Sequence, residues 1–503
     1  MTQPADPTTS STLVLVNPRR TLGRLDRNVF GGFVEHLGRC VYGGLYDEAS
    51  PLSDDNGFRR DVLDLLRELR ISVLRWPGGN FASNYHWTDG IGPRDTRPAR
   101  PDLAWGAVDS NRFGVDEFIA YCTELGAQPY ICLNMGTGSL TDALNWIEYC
   151  NGTADTHWAG RRRANNGHDR PHQVRYWALG NEMYGDWQVG ALSATEYVAT
   201  ATRWARAIRM LDPHAQLVGC GQSGWDDWDR VVIDGLAGLV DLYSIHIYTG
   251  SADHWTNVLH AHQAERAIAC ARTLIQRAAY TRRIANPPRL AYDEWNVWYR
   301  TADGRLEERY SFSDALAVGT YLNIFVRNCE WVRMANLAQL VNAIAPVVTT
   351  PDSAAVQPIY YPILLHAQAA LDVAVDAFVS GPIFDLSGVE APSRWPHRVA
   401  DLGPFHLVDV AATASTARDR LALTMVNRSD EAAPVRIELA GWAFAGPVRL
   451  RTVTGERDPA DRVLPDVQTA TVTEGDAHPT GGSVTLVLPA RSFTAAEVAT
   501  TGI

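Results

Sequence analysis

Between residues 28 and 373 the chain alternates short apolar runs with amphipathic stretches, eight times over, and few folds accept such a rhythm. Runs that read as buried strands lie at 28–35, 71–76, 128–134, 174–182, 216–221, 241–248, 289–294 and 336–340. Helical patterns fill 61–70, 115–125, 194–211, 257–279 and 314–329, and one at 362–373 closes the series. In the first of these, Val62, Leu65, Leu66 and Leu69 form one stripe at helical spacing. Strands that are apolar throughout and separated by helices belong to a parallel sheet covered on both faces. Eight such units predict an α/β fold of (β/α)8 barrel (TIM barrel) type, with function on the loops after the strands' C-terminal ends.

Beyond about residue 373 the texture changes. Helical periods give way to short alternating runs at 421–427, 435–439, 448–453 and 484–488, separated by turn-rich stretches such as 427–430 and 479–482. These predict an all-β sandwich, jelly-roll-like. An isolated apolar run at 12–16 has no helix after it and is expected to cross over as a strand of that second domain. The expected division is therefore 1–25 as an N-terminal segment, 26–373 as the barrel and 374–503 as the β-sandwich.

Composition narrows the function. A net charge of −12 lacks the basic face that nucleic acid requires. No apolar stretch is long enough to span a bilayer, and residues 1–11 have neither the basic start nor the apolar core of a secretory signal. Seven scattered Cys, mostly inside apolar runs, read as reduced core thiols of a cytoplasmic protein. Neither a CxxC nor an HExxH spacing occurs, so no metal and no organic cofactor is expected. The 16 Trp, many beside Gly, Asn and Asp, would suit a sugar cleft, although core filling accounts for most Trp in most proteins.

The strand ends carry the chemistry. Trp177-Ala-Leu-Gly-Asn-Glu-Met183 delivers Asn181 and Glu182, and Leu290-Ala-Tyr-Asp-Glu-Trp-Asn296 delivers Glu294. Two carboxylates on separate strands of one sheet are the minimum for breaking a glycosidic bond. Phe33-Val-Glu-His-Leu-Gly38 offers Glu35, Arg75-Trp-Pro-Gly-Gly-Asn80 aims Arg75 and Asn80 through a tight turn, and His246, Tyr248 and Gln339 end further strands. Singly, each has a plainer reading: a cap neighbour, a surface ion pair or a hydrogen-bonded core histidine. Arg161-Arg162-Arg163 reads as a solvated loop face. Their coincidence at strand ends favours a site, because a polyhydroxylated substrate needs a partner for each buried hydroxyl.

Taken together, the strings Phe-Val-Glu-His-Leu-Gly-Arg, Arg-Trp-Pro-Gly-Gly-Asn, Ala-Leu-Gly-Asn-Glu, Ser-Ile-His-Ile-Tyr, Asp-Glu-Trp-Asn and Ala-Gln-Leu-Val-Asn resemble glycoside hydrolase family 51, the intracellular α-L-arabinofuranosidases. The match runs from about residue 30 to 362. The resemblance implies that Glu182 is the acid/base and Glu294 the nucleophile. It places Glu35, Arg75, Asn80, Asn181, Tyr248 and Gln339 against the furanose or the carboxylates, and makes His246 the shaper of the acid/base environment. It also implies arabinose-containing oligosaccharides as substrates, exo cleavage and a homo-oligomer, a hexamer.

Retention requires the two carboxyl groups ~5–5.5 Å apart. Arg75 would match the charge of Glu294, and a neighbouring anion should raise the pKa of Glu182 so that it starts protonated. Trp76 and Trp295 are expected to limit the size of the pocket, and loops 85–111 and 295–313 to set leaving-group preference. The alternatives are another retaining barrel glycosidase, a β-xylosidase or an endo-glucanase or xylanase, and a non-catalytic carbohydrate-binding protein.

Overall fold

The structure, a computed structural model, describes residues 11–167, 169–299, 306–384, 399–455 and 470–502. Most of the N-terminal stretch expected to lack a secretory signal lies outside them. Eight strands close into a barrel: β1 (Gly31–Phe33), β2 (Val73–Trp76), β3 (Gln128–Cys132), β4 (Tyr176–Leu179), β5 (Gln216–Gly219), β6 (Leu242–Thr249), β7 (Arg289–Val297) and β8 (Val332–Ala338). Every neighbouring pair is parallel, and β8 pairs with β1 to close the ring. At least one helix follows each strand.

Strand parity explains both layers. Val73 and Arg75 of β2 point into the barrel, while Leu74 and Trp76 join the apolar layer under the helices. Tyr130, Cys132, Tyr176, Ala178, Val218, Leu242, Ala291 and Met334 fill the barrel axis. All eight strands fall within or against the apolar runs, which mostly overshoot them because the loops after the strands are buried too. The run at 28–35 opens instead with a 3-10 turn, Arg27–Phe30, whose cap Asp26 accepts from the Asn28 N–H.

Two helices, Val115–Leu125 and Ala194–Leu211, match their stripes. The stretch at 257–279 breaks into His254–His260 and Gln263–Arg282, and Leu140–Asn151, His157–Asn166 and Asp227–Leu236 form without having been singled out. Leu140–Asn151 is held by a reciprocal capping box between Ser139 and Asp142, a local signal separate from the stripe. The basic run is a correction: it lies on the helix His157–Asn166, not on a loop. Arg162 is fully buried, donating to the carbonyls of Tyr149, Gly152 and Asp169, and only its neighbours meet solvent.

Thr12–Arg24 does cross over, pairing antiparallel with Val373–Ser380 and parallel with Ala433–Leu439. The β domain is one continuously hydrogen-bonded ten-stranded sheet. It curls over on itself: Val448, from near one edge, shares a core with Val484 and Leu486 from the other. The helix Phe312–Arg327 is clasped between barrel and sheet, where Asn323 and Arg327 both donate to Asp409. That junction fixes the helix that follows β7.

Candidate active site

β7 holds the centre of the site through an irregularity. Ala291 pairs with Ser244 and Glu294 with His246, so three steps on β7 face two on β6, and the register against β8 slips in the same place. The extra residue is a β-bulge. It lets Asp293 and Glu294 both point inward, where simple alternation would have sent one of them outward.

β2 supplies the cation between them. Arg75, 1% exposed, donates through Nη1 to Glu294 Oε1 at 2.7 Å and to the Asp293 carbonyl at 3.2 Å. Its Nη2 donates to Asn181 Oδ1 at 2.6 Å, and its guanidinium lies 4.4 Å from the centre of the Phe33 ring. Burial acts against this charge, but Asp293 and Glu294 hold the guanidinium well above its usual value. Reciprocally, burial would lift the Asp293 carboxyl, but Arg75, His246 and Ser244 keep it far below the carboxylate range. Asp293 also accepts from Tyr130 Oη at 2.7 Å and Ser244 Oγ at 2.6 Å.

The end of β4 carries the second carboxylate. Gly180 and Glu182 both adopt positive φ, +77° and +41°. A left-handed residue other than glycine costs of order 1–3 kcal/mol and persists where its surroundings hold it. Here Glu182 accepts from Tyr184 Oη at 3.2 Å and Trp187 Nε1 at 3.0 Å, and lies 3.0 Å from His246 Nδ1. Tyr248 Oη donates to Glu294 Oε2 at 2.9 Å. One oxygen from each of Glu182 and Glu294 and a ring nitrogen of His246 all lie within 4.8 Å of one another.

His246 changes the expected electrostatics. Burial opposes its charge, yet Glu294, Asp293 and Glu182 raise it to about 10. Burial likewise pushes Glu182 up, but the hydrogen bond and charge of His246, then Trp187 and Tyr184, bring it below its ordinary value. The expected upward shift of Glu182 is thus reversed, because the nearest group is a cation. Glu182 and His246, joined by one hydrogen bond, hold a proton between them at rest. The Glu182, His246 and Glu294 donor atoms are spaced to hold a metal ion, and a proton on His246 competes for that space.

Glu35 and Gln339 meet at the ends of the adjacent strands β1 and β8. Gln339 Nε2 donates to Glu35 Oε2 at 3.3 Å, while Glu35 Oε1 accepts from the Phe81 N–H and Trp105 Nε1. Burial lifts Glu35 to about 7 against those donors. The Gly78-Gly79 backbone runs between the two groups. A Cβ at Gly78 would stand 2.6 Å from Glu35 Cγ, and one at Gly79 would stand 3.1 Å from Glu294 Oε1. Asn181 Nδ2 is buried and has no hydrogen-bond partner among the described residues. Asn80 is half-buried at the start of the turn Asn80–Asn84, and its side chain makes no hydrogen bond among the described residues.

The structure therefore brings Glu182, Glu294, Arg75, Asn181, His246 and Tyr248 into one network, with Glu35 and Gln339 beside it and Asn80 near the same turn. Trp76 and Trp295 are corrections. Both are outward on their strands and fully buried, Trp76 stacked on Phe118 and Trp295 against Tyr321 and Phe325. Trp105 and Trp187 touch the carboxylates instead. Asp293, Tyr184 and Trp187 lie inside or just after the strings 177–183 and 290–296, but nothing in their spacing marks them as contacts of the carboxylates and of Arg75.

Known proteins share this arrangement of chain. Residues 65–266 match a family model described as alpha-L-arabinofuranosidase 1 domain, and residues 293–492 one described as alpha-L-arabinofuranosidase C-terminal domain. Alpha-L-arabinofuranosidase C of Emericella nidulans is 42% identical over 461 residues, covering 88% of this chain and 89% of that one. The intracellular exo-alpha-(1->5)-L-arabinofuranosidase of Acetivibrio thermocellus is 37% identical, covering 73% and 77%. The crystal structure of the Thermotoga maritima alpha-L-arabinofuranosidase in complex with arabinose superposes with a TM-score of 0.90 at 37% identity, over 97% of this chain and all of that one.

Proposed function

The chain belongs to the α-L-arabinofuranosidases of glycoside hydrolase family 51, and we propose that Glu182 and Glu294 are the acid/base and nucleophile with which it works. The reaction is retaining, exo-acting hydrolysis of terminal α-L-arabinofuranosyl residues. The observation that carries the assignment is the approach of the two carboxylates to within 4.8 Å. Inverting enzymes hold their carboxyl groups ~6.5–9.5 Å apart to admit a water between them.

Glu294, oriented by Arg75 and Tyr248, attacks the anomeric carbon, and the bond to the leaving oxygen breaks as Glu182 protonates it. The proton reaches Glu182 from His246 Nδ1 across 3.0 Å. Departure of the leaving group leaves Glu182 ionised and His246 neutral. Esterification of Glu294 removes the largest anionic influence that had charged His246, so the imidazole stays neutral. Glu182 then takes a proton from water, whose oxygen attacks the anomeric carbon and releases Glu294. The proton returns to the Glu182–His246 pair. Asn181 Nδ2, Glu35, Gln339 and Asn80 are the hydrogen-bonding groups offered to the sugar hydroxyls.

Substrates of this site are arabinose-containing oligosaccharides derived from arabinan or arabinoxylan. The described cysteines are all free thiols, in keeping with a reducing, cytoplasmic setting. No helix among the described residues is long and apolar enough to cross a membrane. A homo-oligomer, a hexamer, is the assembly in keeping with the family, and exposed apolar side chains such as Met210, Tyr280 and Phe378 offer contact surface. The test of function is hydrolysis of an aryl α-L-arabinofuranoside against the aryl β-D-xyloside, with the anomer of the first-formed sugar read by NMR. Preference for the xyloside, or an inverted product, would overturn the reading.

A further inference from the structure

A short hairpin, Arg100–Pro101 against Val108–Asp109, presents Trp105 in its loop. The indole N–H donates to Glu35 Oε1 at 3.1 Å. The same side chain lines a separate cavity of about 640 Å³, together with His36, Tyr42, Asp102, Asp109 and Glu307. None of Glu182, Glu294, Arg75, Asn181 or Tyr248 lines that cavity. We propose that Trp105 is the partition that makes the catalytic pocket a dead end, and that the cavity beyond it is a latent subsite for a second sugar residue. The inference rests on the arabinofuranosidase reading and names the residue that confines it to terminal sugars.

The ring of strands gives the direction. β8, which leads to Gln339, lies opposite β4, which leads to Glu182. The leaving oxygen must meet Glu182, so a furanose bound between them turns its anomeric carbon toward Glu182 and Glu294. Its exocyclic C5 hydroxyl, remote from the anomeric carbon, then turns toward Glu35, Gln339 and Trp105. In a 1,5-linked arabinan that hydroxyl bears the next residue. With Trp105 in place only a free C5 hydroxyl fits, so only the chain end is cleaved.

The cavity has the chemistry of a sugar site. Its volume falls within the about 300–1,000 Å³ of small-molecule pockets. His36 Nε2 accepts from Trp76 Nε1 at 3.1 Å, which assigns the ring proton to Nδ1. Nδ1 is buried without a hydrogen-bond partner among the described residues, 3.7 Å from Asp109 Oδ1, on a side chain that is 3% exposed. It supplies a donor; the Oδ1 atoms of Asp102 and Asp109 already accept from the Ala104, Trp105 and Asn111 N–H groups and Tyr42 Oη, which leaves their Oδ2 atoms as the acceptors, and the indole supplies an apolar face suited to the C–H side of a sugar.

The test uses an aryl α-1,5-arabinobioside, whose direct cleavage releases the aryl alcohol and a disaccharide. Wild-type enzyme should release the alcohol only after a lag, with arabinose as the sole sugar. Trp105→Ala, and Trp105→Leu should the first not fold, should release it without a lag and yield disaccharide. The rate on the bioside relative to the monoside should rise about tenfold or more. Trp105→Phe, which keeps the bulk and loses the N–H, should stay exo. Adding His36→Ala to Trp105→Ala should lower the disaccharide yield. A folded Trp105→Ala or Trp105→Leu enzyme that makes only arabinose, a wild type that makes disaccharide directly, or a Trp105→Phe enzyme that behaves as Trp105→Ala would each overturn the partition. Wild-type turnover of the aryl monoside keeps this separate: its absence would strike the function itself.

Discussion

His246 stands 3.0 Å from Glu182 and 3.5 Å from Glu294 through the same ring nitrogen, so the proton the acid must deliver is stored between the two carboxylates. Replacing His246 by Gln removes that store. In the wild type the shared proton is lost only as pH rises toward about 10. In His246→Gln it is held by Glu182 alone, so the alkaline limb of kcat/KM should move to lower pH. An unmoved limb would show that the imidazole does not carry the proton.

The same raised group bears on stability. Its ordinary value is about 6.5 and its folded value about 10, so its contribution is complete below the first and lost as pH rises through the second. Thermal melts across this window should show wild-type Tm falling more steeply than that of His246→Gln.

The two glutamates should fail differently. Glu294→Ala should abolish turnover of every substrate, because no other group is placed to attack. Glu182→Ala should slow poor leaving groups far more than activated aryl ones, and azide should restore rate by replacing the water that Glu182 activates. Equal responses of both variants to leaving group and azide would reverse the assigned roles.

Gly79 is a test of positioning. An added Cβ would lie 3.1 Å from Glu294 Oε1 and 3.2 Å from Asn181 Nδ2, so one of them must give way by a few tenths of an ångström. Gly79→Ala should therefore lower kcat on the order of tenfold with a modest change in Tm. Single-turnover kinetics would locate the loss in the glycosylation step; a loss only in KM would not fit.

Arg75 serves three partners at once, and lysine cannot. Arg75→Lys should lose kcat, and Arg75→Ala should cost about 3–5 kcal/mol in denaturant melts because Asp293 and Glu294 lose the guanidinium that pairs with both and keep His246 alone to offset two buried charges. Glu35→Gln should cost about 1–3 kcal/mol, since its amide would set a donor against that of Gln339 or leave the Phe81 and Trp105 donors unmet.

Sequence by itself determined the barrel, the β domain with its borrowed N-terminal strand, and the residues at the strand ends. Apolar periodicity is a local property, and a carboxylate that follows a buried strand is delivered to the barrel mouth wherever the strand goes. What only tertiary structure decided was which neighbours those groups meet. The β7 bulge, invisible to period-two counting, turned Asp293 inward beside Glu294. Parity sent Trp76 and Trp295 into the helix layer, while a distant loop brought Trp105 to Glu35 and the turn after Glu182 folded Trp187 back onto it. The charge on His246, and with it the downward shift of Glu182, comes from three acidic residues, two on β7 and one just after β4, converging around one ring. Electrostatic energy depends on distance and burial, and both are set only when the barrel closes.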